Sequence, residues 1–310
     1  MKSYLLIPLS LLLSCSSVKK TDAQAGSQLL KDVEILSSDA YEGRKTGTKG
    51  GEMARKYIES RFKEIGLNKL PSFSDYEMPF SFKSSKGNTV EGKNLLGYVE
   101  GKSKNVIVIS AHYDHIGVIN NEIYNGADDN ASGVAALLKL ASYYLKNKPY
   151  HTLIFAAFDA EEAGLQGASA FVKNPPVQLE NIKLNINMDM VSHNDKGELY
   201  ACGTFKYPQL KPAVFSKSSK IKIILGHDDP KMGSNDWTNQ SDHSAFNDKD
   251  IPFIYFGVED HKDYHKATDE FKNINPVFFT NANEAILEIS ARLDHQLYLK
   301  SVINDKKRIN

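Results

Sequence analysis

The chain has 310 residues, and its 38 Lys and Arg are balanced by 38 Asp and Glu. At 41% hydrophobic and 25% charged, with 20 Gly and 11 Pro, the composition excludes collagen-like, coiled-coil and disordered readings. A net charge of zero argues against a nucleic-acid binder, because no basic excess is available to neutralise phosphates. Two cysteines are too few for a disulfide scaffold or a cysteine-based zinc knuckle, so any bound metal must rest on carboxylates and imidazoles.

Met1-Lys2 is a short basic start, and Tyr4 to Leu13 is an apolar stretch interrupted by Pro8. It is too short to span a bilayer and fits the apolar region of a secretory signal. The run Leu12-Leu13-Ser14-Cys15 resembles the lipobox of bacterial lipoproteins. That resemblance implies cleavage before Cys15, acylation of Cys15, and an exported protein held at a bacterial cell membrane by its N-terminal lipid. Residues 15–26 are rich in Ser, Lys, Ala and Gly and read as a flexible tether after a signal peptide over 1–14. Residues 27–310 then read as one domain, with Cys202 its lone thiol and no internal disulfide expected.

Gln28 to Leu36 and Gly51 to Ile65 carry apolar residues at helical spacing, the second ending at Gly66. Between them Tyr41-Glu42-Gly43-Arg44-Lys45-Thr46-Gly47 lacks the Lys-Ser/Thr of a phosphate loop and reads as a structured loop beside a site. Val106 to Ala111, Thr152 to Phe158, Ile182 to Met190, Ile221 to Leu225 and Pro252 to Phe256 read as strands. Helical patterns cover Ala131 to Leu145, capped by Asn130, then Leu165 to Lys173, Pro208 to Ser219 and Pro276 to Leu299. This alternation predicts a three-layer α/β/α fold around a mostly parallel sheet.

The acidic and histidine residues fall where such a sheet places ligands, outside the carboxyl ends of its strands. His112-Tyr113-Asp114 follows the strand over 106–111, and Asp159 and Glu161-Glu162 follow that over 152–158. Asp189 sits at the end of the strand over 182–190, and Tyr264-His265 lies in the loop after the strand over 252–256. Singly, Glu161-Glu162 reads as a solvated loop and Asp128-Asp129-Asn130 as a turn with a helix cap. Together, four strand ends deliver carboxylates and imidazoles to one rim, which points to a metal site. His115, His151, His193, His227 and His261 match no such arrangement and read as ordinary histidines.

With the motifs YEGRKTGTKG (41–50), SAHYDHIG (110–117), NGADDNASG (125–133), FDAEEAGLQGA (158–168), NINMDM (185–190), SDHSAF (241–246) and DYHKATD (263–269), the chain resembles a known family. It is similar to the exported bacterial zinc aminopeptidases of the leucyl aminopeptidase/aminopeptidase Y kind, whose fold is shared with glutaminyl cyclases. The resemblance implies a di-zinc exopeptidase fold and two Zn2+ ions: one held by His112 and Asp189, the other by Glu162 and His265, with Asp129 bridging. It implies Glu161 as general base toward a metal-bridging hydroxide, Asp114 orienting His112, and Tyr264 donating to the oxyanion. Asp242 and His243 are assigned to a second shell or pocket rim. The implied substrates are peptides with a free N-terminus. A glutaminyl cyclase, a carboxypeptidase or dipeptidase, and a non-catalytic surface-binding relative remain as alternatives on the same fold.

Overall fold

The computed structural model describes residues 27–215 and 220–309, with side chains to residue 298. The signal peptide, the tether and Cys15 lie outside the described residues.

In chain order the strands are β1 (Asn68–Lys69), β2 (Glu77–Lys83), β3 (Thr89–Val99), β4 (Ser103–His112), β5 (Gly117–Ile119), β6 (Glu122–Tyr124), β7 (His151–Phe158), β8 (Ile182–Met188), β9 (Glu198–Cys202), β10 (Lys222–Leu225) and β11 (Phe253–Gly257). The helices are α1 (27–36), α2 (Lys49–Ile65), α3 (Gly133–Lys146), α4 (Gln166–Lys173), α5 (Lys211–Val214), α6 (His243–Asn247) and α7 (Pro276–Ile309). Among the described residues nine strands form one sheet in the order β1-β3-β7-β4-β8-β11-β9-β10, with β2 also paired to β3. The centre β7-β4-β8-β11 is parallel throughout. Antiparallel pairs join it to β3 on one side and β9 on the other. The chain therefore has the mixed α/β fold with a mostly parallel central sheet that its strand–helix alternation predicts.

Strand periodicity divides the core between the two faces. Ile107, Ile109 and Ala111 of β4 face a cluster built with α1, α2, α3 and α7. Val106 and Val108 face the opposite cluster, with Phe171 of α4 and Phe246 of α6. Each such side chain contributes roughly 1.5–3 kcal/mol on full burial, which is why β4 is apolar on both faces. Its polar exception, Ser110, is buried in a small network: Ser110 donates to Asn187 Oδ1 at 2.7 Å, Asn185 donates to Ser110 at 2.9 Å, and Asn187 donates to Ser241 at 2.9 Å. These bonds pair the amide nitrogens of Asn185 and Asn187 directly behind the rim that Asp189 occupies.

Two details differ from expectation. Helix α3 begins at Gly133 rather than Ala131, because Ala127–Ser132 first winds as a wider π-type turn. Asn130 still caps it, its Oδ1 accepting the Gly133 N–H at 2.9 Å. The described part of the helix expected over 208–219 is divided between a 3-10 turn, Pro208–Leu210, and the short α5, and 216–219 lie outside the described residues. No helix among the described residues is long and apolar enough to cross a membrane.

Candidate metal centre

Because β7, β4, β8 and β11 run parallel, their carboxyl ends share one rim. His112 is the last residue of β4, Asp189 follows β8 by one residue, and Glu161-Glu162 lie three and four residues past β7. The turn before α3 brings Asp129 into their midst. Two devices hold that turn. Asp269 accepts the N–H groups of Asp128 and Asp129 at 2.9 and 3.0 Å. Arg44, wholly buried, donates to the carbonyls of Tyr113, Leu36, Asn125 and Gly126. The Tyr41–Gly47 stretch is thus a structured loop whose cation ties the end of β4 to the approach to Asp129. Gly126 has φ +56°, and a Cβ there would lie 2.0 Å from the Asp129 carbonyl and 2.5 Å from the His115 ring.

Asp129 stands between two groups of side chains. Its Oδ1 is 3.4 Å from His112 Nε2, which is also 3.2 Å from Asp189 Oδ1. Its Oδ2 is 3.1 Å from His265 Nε2, which in turn is 3.7 Å from Glu162 Oε2. The two carboxylate oxygens of Asp129 therefore face different imidazoles. His112, Glu161 and Asp189 offer ligand atoms within 4.8 Å of one another, and so do His115, Asp129 and Glu162. Adjacent glutamates thus belong to different groups. His265 takes φ +53°, an unusual conformation for a non-glycine residue and one that clusters at functional sites.

Asp114 borders both His112 and the two glutamates. His112 Nδ1 is 3.1 Å from the Asp114 backbone carbonyl and 3.7 Å from its Oδ1, so the carbonyl is the nearer partner. The Asp114 carboxylate also accepts the N–H groups of Glu161 and Glu162, at 3.0 and 3.3 Å. It fixes the turn that aims both glutamates.

Burial pushes the carboxyls of Glu161, Glu162 and Asp129 above their ordinary range, and neighbouring carboxylates add to the effect. Burial disfavours protonation of His112, but Asp189 and Glu161 outweigh it and hold that imidazole well above its usual pKa. Burial lowers His115 to about 4. Unrelieved negative charge in a buried rim is the electrostatic condition that a cation relieves. Glu162 Oε1 and both nitrogens of His115 are buried without a hydrogen-bond partner. Carboxylates and imidazoles in this grouping suit zinc, which accepts both donor types.

The remaining candidates take distinct places. Tyr264 is half-buried, lines the cleft and stacks on His265 with ring centroids 3.9 Å apart. Asp242 and His243 are wholly buried behind the rim, not on it. His243 Nε2 is 2.9 Å from the Trp237 carbonyl, while burial raises Asp242 to about 8. The cleft holds about 330 Å³ and is walled by Leu165, Met190, Trp237, Tyr255 and Val258.

Two histidines read as ordinary are not. His115 is fully buried with Nδ1 2.7 Å from Glu162 Oε1 and 3.7 Å from Asp129 Oδ2. The signal that marks it is the His112-x-x-His115 spacing, which returns a second imidazole to the rim. His261 supports the site from behind, its Nε2 3.0 Å from Asp128 Oδ2. It also groups with His193 and Asp263, but its Nδ1 already accepts the Asp263 N–H at 3.2 Å. His151 is structural, with Nδ1 2.7 Å from Asp294 Oδ1, and His227 lies on Trp237 with ring centroids 3.8 Å apart.

A family model described as peptidase family M28 matches residues 94–290. The vacuolar membrane protease of Schizosaccharomyces pombe is 26% identical over 309 residues, covering 91% of this chain and 33% of the relative. The chain thus spans about a third of that curated relative. Among solved structures, a zinc aminopeptidase from Bacillus subtilis matches with TM-score 0.65 and 16% identity, over 86% of this chain and 94% of that one. The glutaminyl cyclase of Porphyromonas gingivalis matches with TM-score 0.66 and 18% identity, over 86% and 96%. One expectation is overturned. The location expected from residues 1–20, lipid-anchored at a bacterial membrane, does not stand, because the curated sequence relatives are vacuolar membrane proteases of fungi.

Proposed function

The chain belongs to peptidase family M28, and from that premise we propose that it is a two-zinc aminopeptidase of the leucyl aminopeptidase/aminopeptidase Y kind. It is a metallopeptidase acting on peptides; removal of single residues from a free N-terminus is the finer reading. Residues 27–310 form its single catalytic domain in this proposal. The observation that carries it is Asp129, whose two oxygens face His112 on one side and His265 on the other, at 3.4 and 3.1 Å. That is the disposition a carboxylate needs to span two cations.

In this reading His112 and Asp189 hold one zinc, Glu162 and His265 the other, and Asp129 bridges. When bound, the pair supplies Lewis acidity that makes water a nucleophile near neutral pH and polarises the scissile carbonyl. Glu161 takes a proton from the attacking water and returns it to the leaving amine. Tyr264, lining the cleft beside His265, donates its hydroxyl to the oxyanion that develops. Asp114 positions Glu161 and Glu162 through their backbone N–H groups, and Asp242 and His243 support the rim from behind. The α-ammonium of the substrate is balanced by the cleft carboxylates Glu161, Glu162 and Asp260. Apolar walls at Leu165, Met190, Trp237 and Val258 receive the first side chain.

The test is zinc content together with hydrolysis of a panel of amino-acid p-nitroanilides by the purified chain. Two zincs per chain, with chelator-sensitive release from free but not N-acetylated substrates, is the expected result. One zinc and cyclisation of an N-terminal glutamine would assign the chain to the cyclase branch of the fold instead.

A further inference from the structure

We infer that His115 is a fourth protein ligand of the second metal position, beside Asp129, Glu162 and His265. The inference rests on the two-metal reading and adds to it a ligand outside the set that the resemblance implies.

His115 has about 1% of its surface exposed, so water does not satisfy its ring. Its Nδ1 approaches Glu162 Oε1 to 2.7 Å and Asp129 Oδ2 to 3.7 Å, and its ring centroid lies 6.1 Å from that of His265. The imidazole therefore borders every candidate ligand of that position. The short approach to Glu162 is not a hydrogen bond. Neither His115 Nδ1 nor Glu162 Oε1 has a hydrogen-bond partner, and His115 Nε2 has none either. Each buried polar group left unpaired costs about 1–3 kcal/mol. A buried donor and a buried acceptor in contact, yet not bonded, are what two ligands converging on one cation look like when seen by their own atoms. A cation between Nδ1, Oε1, Asp129 and His265 satisfies both atoms at once.

The backbone keeps the ring there. Gly126, with its φ of +56°, leaves space that a Cβ would fill, 2.5 Å from His115 Cδ2 and 2.0 Å from the Asp129 carbonyl. The same glycine thus admits the imidazole and the Asp129 turn together. The outcome is an asymmetric pair. The second position would have two imidazoles and two carboxylates and take the shared water as a fifth ligand, while the first has one imidazole, His112. The second position accordingly fills first and empties last.

The test uses the full chain, stripped of metal and reloaded with one equivalent of zinc. X-ray absorption at the zinc edge counts coordinated imidazoles: two in the native chain and one in His115→Ala. Zinc competition against a chelator gives the second readout. His115→Ala loosens the tighter zinc by more than about 100-fold, beyond the 10–100-fold typical of a lost supporting hydrogen bond. A native chain with one imidazole at its first zinc overturns the inference, and this measurement needs no variant to fold. His115→Ala with unchanged zinc affinity overturns it as well. Uptake of a single zinc at saturation overturns the two-metal reading instead, and the imidazole count at that zinc still decides the role of His115.

Discussion

Glu161 and Glu162 are neighbours in sequence with different company in space. Glu161 groups with His112 and Asp189, Glu162 with His115 and Asp129. Their N–H groups share one acceptor, the Asp114 carboxylate. If Glu161 is the base and Glu162 a ligand, the amide replacements separate cleanly. Glu161→Gln keeps the zinc content of the native chain while kcat falls about 10²–10⁴-fold, the usual contribution of general acid–base catalysis. Glu162→Gln loses zinc from one position before any kinetic comparison is possible. Measured zinc stoichiometry on both variants decides, and the opposite pattern would show that the two roles are exchanged. His112, Asp129, Asp189 and His265 were legible because each sits in a short polar motif at the end of an apolar run. His115 was not, because inside His-Tyr-Asp-His it has no periodicity of its own. Only the fold of residues 112–116 onto Glu162 gives it a partner.

At the level of elements, the parallel strands place the candidate residues and the loops between them set the aim. The turn after β7 depends on a carboxylate that accepts two N–H groups at once. In Asp114→Asn one accepting oxygen becomes an amide that donates, so one glutamate N–H faces a donor. Losing that bond leaves a buried N–H unpaired, at about 1–3 kcal/mol, and lets both glutamates drift. The expected outcome is a lower urea midpoint together with loss of both zinc affinity and kcat. A variant with native zinc affinity and kcat would show that the turn holds without Asp114. The central strands β4, β7, β8 and β11 were readable because burial on both faces makes them continuous apolar runs. Strands β2 and β3 escaped the reading. Their outer halves are half-exposed and mixed with charge, and Pro79 interrupts β2. The hairpin β5–β6 is three residues a side and carries no pattern long enough to detect. In the described part of the segment expected as a helix over 208–219, α5 runs only from Lys211 to Val214, with Pro212 in its first turn, where proline is tolerated.

Across the whole molecule, the metal centre is a concentration of buried negative charge that the fold tolerates at a cost. Burial, followed by neighbouring carboxylates, raises Asp242 to about 8 and Asp269 to about 7. In an unfolded chain both return to about 3.9. Between the unfolded and folded values the native state holds more protons than the unfolded state, so its stability falls as pH rises. Below about pH 6.5 the slope is mixed, because His115 and His243, each lowered by burial to about 4, give stability of the opposite sign there. Above that pH both imidazoles are neutral in the folded state and lose their remaining protons in the unfolded one within about a pH unit, so the raised groups dominate. The metal-free chain is therefore expected to lose urea resistance steadily from about pH 6.5 to pH 9. Asp242→Asn removes the part of that loss centred near pH 8. Saturating zinc flattens the slope further, because a divalent cation beside Asp129, Asp189 and Glu162 compensates the field that Asp242 senses. Urea midpoints across this range, with and without zinc, are the measurement. A metal-free chain that gains stability with rising pH would mean that the rim carboxylates are already neutralised by groups of the protein itself, and that the centre has no electrostatic need of a cation.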